Sequence, residues 1–214
     1  MPRFTRAVLL PLWLLAACQT PDSPRPAVLA LEEPVLLGWR AVALSEDRDR
    51  VDGLAAAWEE ALAQARTRGL LARVRAEGAL LEPDAGLPRA ALSPGPYRCR
   101  LVRLGAGRRS FAAHPFHFCH VGIDGDLLSL TKESGSERPG GYVWPDSDRQ
   151  SVFLGATALG AERLPPAYGE DPARDSIGLV ERIGAFRYRL VFPWPRSGAV
   201  LDVLELVAFV PEPE

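Results

Sequence analysis

The spacing of apolar positions changes period once along the chain, and the change divides it into a helical part and a β part. From Ser45 to Arg68 the stretch SEDRDRVDGLAAAWEEALAQARTR repeats Val51, Leu54, Ala55, Trp58, Leu62 and Ala65 at helical spacing. Ser45 stands as N-cap, Glu46 and Asp47 complement the dipole in the first turn, and Arg66 and Arg68 do so in the last. Gly69 interrupts the run, and Leu70 to Glu77 predicts a second, shorter helix stopped at Gly78. Trp58, on the apolar face, is expected to anchor a core.

After a connector rich in proline and glycine, the period falls to that of strands. The runs are Tyr97 to Leu104, Phe116 to Ile123, Leu127 to Lys132, Gly141 to Trp144, Ser151 to Ala156, Gly178 to Ile183, Phe186 to Phe192 and Leu201 to Phe209. Asp124-Gly125 and Gly184-Ala185 mark hairpin turns between neighbouring runs. About eight short strands at hairpin spacing predict an antiparallel β-barrel or a strongly curled sheet. The expected class is therefore α+β, an N-terminal helical hairpin packed on that β structure. The helical region spans 39–80, the Pro-rich connector 81–96 and the β domain 97–210, with 39–210 as one folded unit.

The N-terminus changes the picture by placing the protein outside the cytoplasm. MPRFTRAVLLPLWLLAACQT has Arg3 and Arg6, then an uncharged run from Ala7 to Ala17. That run is too short for a bilayer core needing about 20 residues and has the form of an export signal. Leu15-Ala16-Ala17-Cys18 resembles the lipobox of bacterial lipoproteins. The resemblance implies a signal peptide over 1–17, acyl chains on Cys18, and, with Gln19 following, the periplasmic face of the outer membrane. The stretch 18–38, with prolines and no helical periodicity, then serves as a flexible tether, and the membrane is a partner through the lipid anchor. The formal net charge of −2 gives no footprint for nucleic acid, which is not expected as a partner.

With Cys18 used by lipid, Cys99 and Cys119 remain in an oxidising compartment, where a disulfide is the default. The two are symmetric about residue 109, and Gly105-Ala106-Gly107-Arg108-Arg109-Ser110 is a hairpin tip between them, so Cys99 is expected to lie opposite Cys119. All three histidines fall in AHPFHFCHVG, but a strand turns His117 and Cys119 to one face and His114 and His120 to the other. No metal is expected there, because a zinc site needs three or four ligands converging on a point. His117 becomes the one ionisable member of an apolar face with Tyr97, Cys99, Leu101, Cys119, Val121 and Ile123, a handle that a barrel pocket could use.

Other candidates are arginines and a loop. If Gly184-Ala185 is a two-residue turn, Arg182, Arg187 and Arg189 share a face, either as an anion patch or paired with Asp202, Glu205 or Asp175. Glu181 would then lie on the opposite face with Tyr188 and Leu190. Residues 131–150, TKESGSERPGGYVWPDSDRQ, form an expected recognition loop in which Ser134, Ser136, Arg138, Tyr142 and Trp144 offer binding groups. The chain lacks G-x-S-x-G, H-E-x-x-H, C-x-x-C and Walker motifs, so no catalytic residue and no cofactor is nominated. Lys132 is its only lysine.

PYRCRLVRLG, ESGSERPGG, SVFLGATALGAE, YGEDPARD, GLVERIGAFRYRLVFPWP and LDVLEL together resemble a family of uncharacterised exported proteins of Gram-negative bacteria, a domain of unknown function, over Trp39 to Val207. Tyr97-x-Cys99 with Ser134-Gly135-Ser136 and Tyr142 is also similar to the periplasmic inhibitors of C-type lysozyme. That likeness implies a Ser/Gly loop entering an enzyme cleft, with Ser134 and Ser136 offering hydroxyls to its carboxylates. Three functions follow: a non-catalytic binding module on a lipid anchor, an inhibitor of a wall hydrolase acting through 134–142, or an envelope enzyme with a pocket near His117 or Glu181.

Overall fold

The computed structural model describes residues 38–107 and 109–209; the segments expected to be signal peptide and tether, with Cys18, lie outside them apart from Gly38. Nine strands form one antiparallel sheet: β1 Gly95–Ala106, β2 Arg109–Ala113, β3 His117–Asp124, β4 Leu127–Lys132, β5 Glu137–Pro145, β6 Ser151–Leu159, β7 Asp175–Gly184, β8 Arg187–Pro193 and β9 Leu201–Ala208. Their order is β2-β1-β3-β4-β5-β6-β7-β8-β9, and β9 pairs again with β1, from Tyr97↔Ala208 to Leu104↔Leu201. The β part is thus a closed barrel of eight strands, with β2 continuing the same edge of β1 that β3 occupies.

Closure needs sharp curvature, and β5 and β6 supply it where Gly141 faces Gly155. A side chain on Gly141 would lie 2.2 Å from the Leu154 carbonyl and 2.4 Å from Gly155 Cα, so only glycine allows this approach. The inward faces of all eight barrel strands pack a core around Tyr97, Cys99, Cys119, Val121, Leu130, Val143, Phe153, Leu190 and Leu206. Period-2 patterning thus becomes an inside and an outside.

Part of the outside is covered by helices. The helical region consists of short segments: α1 Trp39–Val42, α2 Ser45–Asp52, α3 Leu54–Thr67, α4 Leu71–Ala76 and a 3-10 turn at Gly78–Leu81. The single helix predicted over Ser45–Arg68 breaks at Gly53, where any side chain would come within 2.7 Å of the Trp194 ring. Leu44, not Ser45, occupies the N-cap position of α2. Ala57, Trp58, Ala61 and Ala65 of α3 pack with Val102, Leu104, Val191 and Val203, whereas Ala55 is exposed. The small residues win that face because alanine lets the helix axis approach the sheet closely. Trp39, Ala43 and Val51 cover Val152, Leu154, Ile177 and Leu179 on the β6–β7 side.

Four local expectations are corrected. The Cys99–Cys119 disulfide is formed, but Cys99 lies opposite His117 and Tyr97 opposite Cys119, so the bridge is diagonal. The hairpin tip belongs to β1 and β2, and the chain then shifts register by one residue before β3 begins. Residues 131–150 are not a long loop: β5 starts at Glu137, leaving Glu133 to Ser136 as the connection from β4. The β7–β8 turn is Ala185-Phe186, with a bulge between Arg182 and Gly184. That bulge separates the three arginines, since Arg189 pairs with Glu181 while Arg182 pairs with Tyr188.

Candidate functional site

The barrel core does not run the whole length of the barrel. At one end the inward positions turn polar: Arg103 on β1, Lys132 on β4, Glu137 on β5, Thr157 on β6, Ser176 on β7 and Asp202 on β9 line an open cavity of about 270 Å³. Its apolar boundary is Leu101, Phe192 and Leu204, which also touch the core, with Pro139 and Leu159 nearer the rim. Arg174, Pro195, Arg196 and Ser197 reach it from the β6–β7 and β8–β9 connections. A shaped apolar cavity with a few converging polar groups is the usual form of a ligand site.

Four cationic side chains line this cavity against two carboxylates. Arg103 and Asp202 are cross-strand partners and form a bidentate pair at 2.7 and 2.8 Å, and Ser197 Oγ donates to Asp202 at 2.9 Å. The hydrogen bond to Asp202 raises the Arg103 pKa, with burial opposing it. Glu137 stands farther off, 3.5 Å from the same guanidinium. Arg174 is held by Glu162 and Asp171, and Arg196 by Glu46, an exposed carboxylate shared with Arg50.

Lys132 differs from these. It is only 8% exposed, and its Nζ donates to the Glu137 backbone carbonyl at 2.8 Å. It forms no salt bridge among the described residues, so part of its donor capacity is free. Burial holds its pKa below the ordinary value; Glu137 opposes the shift and Arg138 adds to it. Gly135, at φ +93°, presses on the same place: a methyl there would lie 2.8 Å from Lys132 Nζ and 3.1 Å from His117 Cε1. The tight turn thus fits only because glycine occupies it.

The residues named from the sequence are distributed around this site. His117 is half-buried beside Gly135 and Lys132, with Nδ1 3.3 Å from Ser134 Oγ, which also accepts the Phe118 N–H at 3.2 Å. Its pKa is lowered by burial, then by Lys132 and His114. His120 faces outward and is exposed, and Ile123, expected in the core, is 72% exposed at the other end of the barrel. Ser136 is exposed in the turn. Arg138 braces the turn, donating to the carbonyls of Gly135, Gly160 and Glu162. Tyr142 is exposed on β5 and donates to Asp124 at 2.7 Å, while Trp144 packs against the α1–α2 cluster.

The arginines and Glu181 are elsewhere. Arg187 pairs with Glu205 at 2.6 Å on the outer face, and Arg182 Nε donates to the Pro88 carbonyl at 2.8 Å. Arg189 is fully buried beneath the helical layer. It bonds Glu181 at 2.7 Å and the carbonyls of Ala79, Leu80, Glu82 and Pro83, with Trp58 under its guanidinium. This arrangement seats the end of the 3-10 turn on the barrel, and Glu181 is consumed by it and does not face the barrel interior.

Sequence reasoning missed Lys132, Arg103 and Asp202 as a group. One signal was present: strict alternation in LLSLTK puts Lys132 on the face of Leu128 and Leu130. Among the described residues no three His, Cys, Asp or Glu side chains gather as a metal site, and no helix is long and apolar enough to cross a membrane.

A family model described as a domain of unknown function (DUF4893) matches residues 39–206, and the chain belongs to that family. No curated protein and no solved structure matches it.

Proposed function

We propose that this chain is a lipid-anchored protein of the cell envelope whose barrel mouth binds a small molecule with an anionic group and an apolar body. The observation that carries the binding reading is Lys132, a nearly buried ammonium that forms no salt bridge among the described residues and faces a cavity lined by apolar side chains together with three arginines and two carboxylates. An anion entering the mouth adds to the counter-charge that Glu137 supplies from a distance, and charge-assisted bonds to a group already withdrawn from water are strong. The location rests on the N-terminal signal and lipobox pattern, and a disulfide between Cys99 and Cys119 is consistent with export.

The test is calorimetric titration of the purified protein with hexanoate, hexylamine and hexanol. Hexanoate is expected to bind, with the amine and alcohol at least tenfold weaker. Affinity should fall as pH rises through the Lys132 pKa, in a window below the ordinary 10.5, because the ammonium is lost there. Lys132→Met should abolish the preference for the carboxylate while the protein stays folded. Equal binding of the three probes, or none, would sink this reading.

A further inference from the structure

We propose that Lys132 is a reactive amine that condenses reversibly with small 2-oxo acids in the barrel mouth, the carboxylate engaging the cationic lining and the adjacent carbonyl carbon meeting Nζ. The inference rests on the anion-binding reading above and names the class of molecule that would use both parts of the site. A lysine that merely caps a turn needs no space in front of it; Lys132 caps the Glu137 carbonyl and also lines a cavity of about 270 Å³. Burial favours its uncharged form, the nucleophilic one, over that of a surface lysine. Arg103 and Arg196 line the same cavity, and among the described residues Arg196 has one carboxylate partner, Glu46, which it shares with Arg50, leaving guanidinium donors for an incoming carboxylate.

The step balances without a co-reactant. The Nζ lone pair forms a bond to the carbonyl carbon, the carbonyl oxygen takes a proton to give a carbinolamine, and its hydroxyl leaves as water as the imine forms. Protons exchange with the water of the open mouth, and hydrolysis reverses each step.

The chain carries a single lysine, which makes the test direct. The protein is incubated with glyoxylate and cyanoborohydride, which reduces imines to stable amines, in the presence of N-acetyl-lysine as an exposed reference. The digest is then mapped by mass. The expected result is an adduct on the Lys132 peptide forming at least tenfold faster than on the reference, slowed tenfold or more by excess propionate, and absent in Lys132→Arg. No enrichment over the reference, with propionate still binding by calorimetry, overturns the imine and leaves the anion site standing. An enriched adduct that propionate neither slows nor competes with would mean that the carboxylate is not engaged, overturning the 2-oxo acid assignment and the anion reading beneath it. Labelling confined to the α-amine, without propionate binding, removes both.

Discussion

Among the described residues two basic side chains are buried, and their surroundings are opposite. Arg189, on the outer face of β8, is closed in by Glu181 and four backbone carbonyls and is 0% exposed. Lys132, on the inner face of β4, has one carbonyl and an open cavity. Taking either charge from water costs several kcal/mol, and only full satisfaction of its donors returns that cost within the folded chain. The first is thus a structural rivet between helical layer and barrel. The second is a charge still waiting for part of its partner set, and it is the one a ligand can exploit. What separates a structural cation from a binding one is the count of acceptors around it and the space in front of it, not burial alone.

Replacing Arg189 by Met is the change expected to do most damage. It strands Glu181 and several carbonyls beneath the helices, at a cost of about 3–5 kcal/mol, measured by urea unfolding. Arg189→Lys should recover little, because three donors cannot reach five acceptors in a planar fork. A loss below about 1 kcal/mol would break the contrast, since Arg189 would then be as dispensable as a surface pair.

The Cys99–Cys119 bridge should come next, with Cys99→Ala/Cys119→Ala losing roughly 3 kcal/mol for a closed loop of this size. It ties β1 to β3 along the wall that leads to Lys132, so affinity for an anionic probe is expected to fall with stability. Unchanged binding in a destabilised variant would show that the mouth is set by the other strands.

Lys132→Met should change stability by no more than about 1 kcal/mol in either direction, because removing a poorly compensated buried charge is close to neutral. The same substitution is expected to reduce hexanoate affinity at least tenfold. A large stability loss would place Lys132 with Arg189 as a rivet, and the contrast between them would collapse.

The smallest effect concerns an acid. Asp175 is 1% exposed, its Oδ1 accepts the Gly169 N–H at 3.0 Å, and its Oδ2 is buried without a partner among the described residues. Burial raises its pKa above the ordinary 3.8, and nearby Asp47 adds to the shift. A carboxyl with a raised folded pKa imposes no penalty below its unfolded pKa and destabilises increasingly as pH rises from there through the folded pKa. Asp175→Asn is therefore expected to stabilise the protein by about 1 kcal/mol at neutral pH, with the gain fading as pH falls toward 3.8. Thermal melts across that range would show it, and a gain independent of pH would assign the effect to packing.

Much of the fold was legible because barrel strands must alternate. The runs predicted for β3, β4, β6, β8 and β9 match the observed strands to within a few residues, and the turn after Asp124 follows from Gly125 at φ +58°. Strand β5 was read too short, because Glu137 to Gly140 looks like loop chemistry. In the barrel those residues pair with Ala156 to Leu159, and Pro139 lies just beyond the last residue of β5 that pairs with β4. The helical break at Gly53 was hidden for a similar reason: glycine costs only about 1 kcal/mol inside a helix, and the Trp194 ring that requires it is remote in sequence.

The sequence by itself determined the period of each segment, the closeness of Cys99 and Cys119, and the presence of an unusual lone lysine. Those properties are local, written in spacing between neighbouring residues. Only the tertiary structure decided that the sheet closes, that β8 meets β7 across a bulge which sends Arg189 to Glu181, and that Lys132, Arg103 and Asp202 from three strands converge on one mouth. Which of two buried cations is satisfied depends on acceptors supplied by residues 79–83 in one case and on empty space in the other. Neither is encoded near the cation itself, since donors and acceptors balance only after distant strands have been brought together.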